Sequence, residues 1–112
     1  MADDVHEDFV VPTHTLVELN YWLRKRRASY VWKEFVDDLA AGAYRLYHPD
    51  ENDLVRAAEL EAQYASLGLG LVDASVIVAC ERLGETKVAT LNRRDFSVVR
   101  PRHCDALTLL PA

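Results

Sequence analysis

Short apolar runs alternate along this chain with longer segments of helical spacing, and that alternation limits the available folds more than any other feature. "DFVVP", "AYRLYHP", "TKVATLN" and "DALTLLP" are brief, turn-bounded and strand-like, the first of them stopped by Pro12. Between the first two, "THTLVELNYWLRKRRA" sets Leu16, Leu19 and Leu23 on one helical stripe, with Thr13 or Thr15 as candidate cap. "YVWKEFVDDLAAG" spaces Val31, Phe35, Val36, Leu39 and Ala40 as a second helix that Gly42 stops. "DENDLVRAAELEAQYASLGLG" is amphipathic, capped by Asp50 or Asp53, with Leu54, Ala57, Leu60, Glu61 and Tyr64 along one side. A further, largely apolar helix starts near Asp73 and ends at Gly84, and "RRDFSVVRP" reads as a turn and short extension. Short strands separated by such helices predict an α/β fold with a mostly parallel central sheet flanked by helices.

A length of 112 residues fits one domain, here expected as a polar leader over 1–8 and a single folded unit over 9–112. Half the residues are apolar and 28% are charged, which is a globular composition. The net charge of -5 excludes a surface that coats nucleic acid everywhere, but leaves room for a local basic patch. Cys80 and Cys104 have no metal-ligand spacing and form no disulfide scaffold, so a reducing cytoplasm is the expected setting. The longest apolar run, "GLGLVDASVIVAC", is short and broken by Asp73, so no membrane span is expected; the acidic start "MADDVHEDF" lacks the basic residues of a signal peptide.

In parallel sheets reactive groups gather beyond the carboxyl ends of the strands, where helices begin. Asp73 and the "LNRRD" run after the "KVAT" strand fall at such ends. Each carboxylate also has an ordinary reading. Asp73 serves equally as a helix cap, Glu18 as a solvent-facing residue, Asp95 as half of a surface ion pair with a preceding arginine, and Asn92 as a turn residue.

Taken in order, the segments resemble a PIN domain of the VapC-type toxin ribonucleases. "VVPTHTLVELNYWL" is similar to the family's strand, proline and helix bearing an acidic residue, here Glu18. "AELEAQYASLGLGLVDASVIVACERLG" resembles its amphipathic helix, loop and aspartate opening a hydrophobic helix, which places the family's metal-site aspartate on Asp73. "VATLNRRDF" resembles the strand and turn supplying the last polar corner, Asn92 or Asp95. The resemblance runs from Phe9 onward and implies a three-layer fold. The family's opening strand, which ends in a further aspartate, has no counterpart here. An N-terminally shortened form of a longer protein is therefore expected.

The resemblance implies an endoribonuclease, the toxin of a type II toxin-antitoxin system, that uses Mg2+ or Mn2+ held by Glu18, Asp73 and Asn92, with Asp95 assisting. Such an ion would activate water and offset charge on the phosphate. The implied partners are RNA, a cognate antitoxin and a second copy of the chain. The alternative is a shortened, inactive domain that acts only by binding those proteins. Positive charge for an RNA backbone is available in "RKRR", Arg24, Lys25, Arg26 and Arg27, and in Arg93, Arg94, Arg100 and Arg102 around the last site segment. These arginines fit a solvated face or pairing with acids as well. Tyr21, Trp22, Tyr30 and Trp32 concentrate near the same turn, as core residues or as a protein interface. His14 is expected to be structural, and Cys80 a small buried hydrophobe.

Overall fold

The computed structural model describes residues 9–89 and 93–110, which divide into two compact units, one ending at His48 and one beginning at Pro49. Among the described residues the strand pairings are all parallel, giving the expected α/β class, and they fall as one pair in each unit.

The first unit is a β-α-α-β crossover: β1 (Phe9–Pro12), α1 (Thr13–Lys25), α2 (Ser29–Ala40) and β2 (Tyr44–Tyr47), with Phe9 opposite Tyr44 and Pro12 opposite Tyr47. Pro12 both ends the strand and caps the helix. Its backbone is extended, with φ -64° and ψ 136°, and no side chain satisfies the first helical N–H groups. Neither threonine serves as the cap. Thr13 is the first helical residue, and the Thr15 hydroxyl donates backward to the Pro12 carbonyl at 2.7 Å, so its proton is already committed. Of the α1 stripe, Leu23 is buried, whereas Leu16 and Leu19 are half-buried. Helix α2 has no buried residue; its anchorage is aromatic, with Phe35 stacked on Tyr44 at 5.1 Å and tilted against Trp32 at 5.8 Å between ring centroids.

Both helices of this unit end in the same way. The Ala28 N–H donates to the Leu23 carbonyl and the Arg27 N–H to that of Arg24; after α2, Ala43 and Gly42 repeat the pattern onto Asp38 and Leu39. This is the Schellman arrangement, which needs a left-handed residue just past the helix. Gly42 fills that position with φ 91°, and Arg27 fills it with φ 57°.

The second unit holds α3 (Glu51–Gln63), a short 3-10 turn, α4 (Leu71–Leu83), β3 (Lys87–Ala89), α5 (Arg93–Val98) and β4 (Thr108–Leu110). Asp50 is the cap of α3: its carboxylate accepts from the Asp53 N–H at 2.9 Å, and the Asp53 carboxylate accepts from the Asp50 N–H at 3.1 Å. The two acids thus satisfy two helix-end donors reciprocally. Ala57 and Leu60 on α3 pack with Ala74, Ile77 and Val78 on α4, and Val88, Phe96, Val99 and Leu107 complete the core. Burial of α4 on nearly every side explains its lack of a polar face. The segment expected as a turn and extension after β3 instead forms α5. With only six residues it is too short for helical periodicity to show in the sequence. Among the described residues, no helix is long and apolar enough to cross a membrane.

Candidate functional site

Helix α4 begins at Leu71 with Gly70 as its cap, so Asp73 lies inside the first turn and is not the capping residue. Its position is set by the apolar residues around it. Ala74, Ile77 and Val78 fix the buried side of the helix, and Asp73 is left half-buried at the mouth of that turn. Asp95 has an analogous place in the first turn of α5. Unpaired N–H groups at these helix starts favour negative charge. The Asp95 carboxylate is more deeply enclosed than a surface ion pair requires. It accepts from the Arg94 Nε at 2.9 Å, with 9% of the acid side chain exposed against 77% of the arginine. Phe96 and Val99, both buried, hold that helix to the core and draw Asp95 in with it.

Glu18 projects from α1 in the first unit and is exposed. One turn earlier, the Nδ1 of His14 is buried without a hydrogen-bond partner among the described residues. Asn92 lies outside the described residues, as does the side chain of Arg93. The available donors are hard carboxylate oxygens, which is the donor type Mg2+ or Mn2+ prefers. Among the described residues, no three His, Cys, Asp or Glu side chains converge as a metal-binding group.

The basic residues divide by environment. Arg24, Lys25, Arg26 and Arg27 are all exposed at the end of α1. Lys25 sits over the Tyr21 ring at 5.5 Å and Arg26 over the Trp22 ring at 4.3 Å. Arg100 and Arg102 are used internally. The Arg100 guanidinium donates to the Ser97 and Val99 carbonyls, and that of Arg102 donates to Glu59 at 3.0 Å. For Arg102, the pairing with an acid is the reading that holds.

A charged network was not legible in the sequence. Arg56 holds Glu81 through two hydrogen bonds, and Glu81 also accepts the Arg102 N–H at 2.9 Å. Burial pushes the Glu81 carboxyl upward, but the Arg56 hydrogen bonds, the Arg102 N–H and both positive charges outweigh it, so its pKa is lowered. Arg82 reaches Asp50 at 3.2 Å and Asp53 at 3.4 Å, tying the end of α4 to the start of α3. Arg56, Glu81, Arg82, Arg102 and Asp53, with Asn52, Val78 and His103, line an open groove of about 390 Å³. It contains none of the residues expected in the site. Its arginines already face carboxylates, so we regard it as a structural clamp.

Burial raises the Cys80 thiol to about 12, with help from nearby acidic groups, which keeps it protonated and inert as a nucleophile.

The sequence pattern of the PIN domain family matches residues 1–100. A ribonuclease of Mycobacterium tuberculosis, VapC26, is 28% identical over 109 residues, a span that covers 97% of this chain and 81% of that protein.

Proposed function

The chain belongs to the PIN domain family, and we propose that it is an endoribonuclease of the VapC type, the toxin of a type II toxin-antitoxin pair. The observation that carries this reading is the family match across the segment in which Asp73 stands in the first turn of the buried helix α4. The likeness to the ribonuclease VapC26 along nearly the whole chain supports it.

In this proposal Asp73, Glu18 and Asn92 hold Mg2+ or Mn2+, and Asp95 assists. The ion, when bound, supplies a Lewis acid for water activation and for charge on the phosphate. The chain's own part is to present hard oxygen donors, with Asp73 placed in the first turn of a helix, where negative charge is favoured. Arg24, Lys25, Arg26, Arg27, Arg93 and Arg94 are the residues we assign to the RNA backbone. A cognate antitoxin, a homodimer and a cytoplasmic setting belong to the same proposal.

Cleavage of a structured RNA with added Mn2+, abolished by EDTA and by Asp73→Asn, is the expected result. A second reading is an inactive, shortened domain that only binds partner proteins. An intact RNA after incubation with Mn2+, together with a stable antitoxin complex, would decide for it.

A further inference from the structure

We infer that the end of α1 is a platform for unpaired nucleotides, which grips a single RNA strand by base stacking and does so without metal. From Tyr21 to Lys33 the chain holds five cations, four aromatic residues and no carboxylate, although the whole protein is acidic. Trp32 is taken up by the aromatic cluster beneath α2 through its contact with Phe35. Tyr21, Trp22 and Tyr30 are not, and they stand 59%, 50% and 69% exposed. Two of these rings carry a cation over the face, Lys25 at 5.5 Å and Arg26 at 4.3 Å. None of Arg24, Lys25, Arg26 and Arg27 makes an ion pair among the described residues.

A ligand that satisfies this surface must offer flat π-faces and repeated negative charge together. An unpaired RNA strand does: its bases stack on exposed rings and on guanidinium planes, and its phosphates meet the adjacent cations. A duplex hides its base faces and meets only the charges. A protein partner would suit the rings and the arginines, but it would have to desolvate four adjacent cations, whereas the phosphates of an RNA strand meet them one by one. Helical spacing also brings Glu18 to the face of Tyr21 and Trp22, about 5.4 Å back along the axis. A strand seated on the platform is thereby delivered beside one of the carboxylates assigned to catalysis. Only this last consequence rests on the proposed nuclease function.

The test is fluorescence anisotropy of a short labelled oligouridylate, and of the same strand paired with oligoadenylate, titrated with the full chain in EDTA. We expect the single strand to bind tighter than the duplex. Tyr21→Ala with Trp22→Ala should weaken single-strand binding by about tenfold or more while leaving the duplex nearly unchanged. Arg26→Ala should reduce the steepness of the salt dependence by about 0.7 in log-log slope. Trp22→Phe should keep most of the affinity, and circular dichroism should show all variants folded. Equal binding of single strand and duplex would overturn the platform, as would ring removal without effect. So would a fall in sedimentation mass on ring removal with RNA affinity preserved, which assigns the rings to a protein interface. Ring-dependent binding in EDTA with no cleavage after Mn2+ is restored would refute the nuclease reading and leave the platform standing. Cleavage with ring-independent binding would do the reverse.

Discussion

Arg56 and Glu81 face each other across the α3–α4 packing as a two-pronged pair, Nε to Oε1 at 2.9 Å and Nη2 to Oε2 at 2.8 Å. Their side chains are only 14% and 9% exposed, so the pair is shielded from solvent. Removing one partner would strand the other in a poorly solvated place, at a cost of about 3 kcal/mol. Glu81→Leu and Arg56→Met should each lower stability by roughly that amount in urea titrations. The double variant should lose less than the two single losses added, because neither charge is then left alone. Strict additivity would show that the pair is not coupled.

The same clamp sets an acid limit. Hydrogen bonds and positive charge, winning over burial, lower the Glu81 carboxyl below its ordinary 4.5. The Asp53 N–H, with a smaller contribution from Arg82 and against the desolvation of the site, lowers Asp50 below 3.8. A carboxyl with a depressed folded pKa binds protons more readily when unfolded. Its stabilisation is therefore complete above the unfolded value and lost as pH falls through the folded one. Stability should hold from neutral pH to about 5 and then decline below about 4.5. In Glu81→Gln the decline should be shallower, as measured by urea midpoints across that range.

The broad outline was legible in the sequence because each of α1 to α4 is amphipathic or largely apolar over at least three turns, and each strand is a short apolar run. Pro12, Gly42 and Gly84 marked real boundaries for the local reason that proline cannot continue a strand and glycine reaches the left-handed region freely. Helix α5 was not legible, since a six-residue helix offers no repeat to recognise. Asp73 was correctly seen at a helix start, but as a cap it was placed three positions too early; Gly70, with no side chain to signal a cap, takes that position. The long-range ion pairs of the second unit could not be read because their partners stand 25 to 43 residues apart, and nothing local couples Arg56 to Glu81 or Glu59 to Arg102. Convergence of the proposed site residues on a metal would depend on tertiary placement that no single segment encodes.

Arg27 and Gly42 occupy equivalent positions after α1 and α2, both left-handed, and only one of them is glycine. A side chain in that region costs on the order of 1 kcal/mol. Arg27→Gly should therefore raise stability by about 0.5 kcal/mol, the gain being trimmed by the greater unfolded freedom of glycine. A Cβ placed at Gly42 meets nothing within 4 Å, so Gly42→Ala isolates the conformational cost alone. Its expected loss is about 1 kcal/mol. Thermal melts of the two variants should move in opposite directions.

Cys80 and Cys104 should separate cleanly in thiol chemistry. Cys80 is buried with its thiol raised to about 12, whereas Cys104 is only partly buried. With a disulfide reagent near pH 8, the folded protein should release one equivalent promptly and a second only on denaturation. A raised thiol pKa also stabilises the neutral form. That contribution is present below the ordinary 9.0 and is lost as pH climbs toward 12. Substituting Cys80 with Ala should remove the slow equivalent, and two prompt equivalents from the native chain would show that Cys80 is accessible.

Asp73 and Asp95 share a first-turn position but differ in enclosure, and that difference separates chemistry from stability. Asp73 is half-buried, so Asp73→Asn keeps the shape and loses mainly the interaction of its charge with the helix start, about 0.3–1 kcal/mol. Asp95 is 6% exposed and takes the Arg94 hydrogen bond inside that enclosure. Asp95→Ala removes an enclosed, charge-assisted acceptor from the first turn of α5 and should cost about 1–2 kcal/mol. Arg94→Ala, which removes a largely exposed partner, should cost under about 1 kcal/mol. If Asp73 holds the catalytic ion, Asp73→Asn abolishes RNA cleavage while its melting temperature stays close to that of the parent. Parallel melting curves and cleavage assays on the three variants check this. An Asp73→Asn protein that still cleaves RNA at the parental rate would remove that residue from the proposed site.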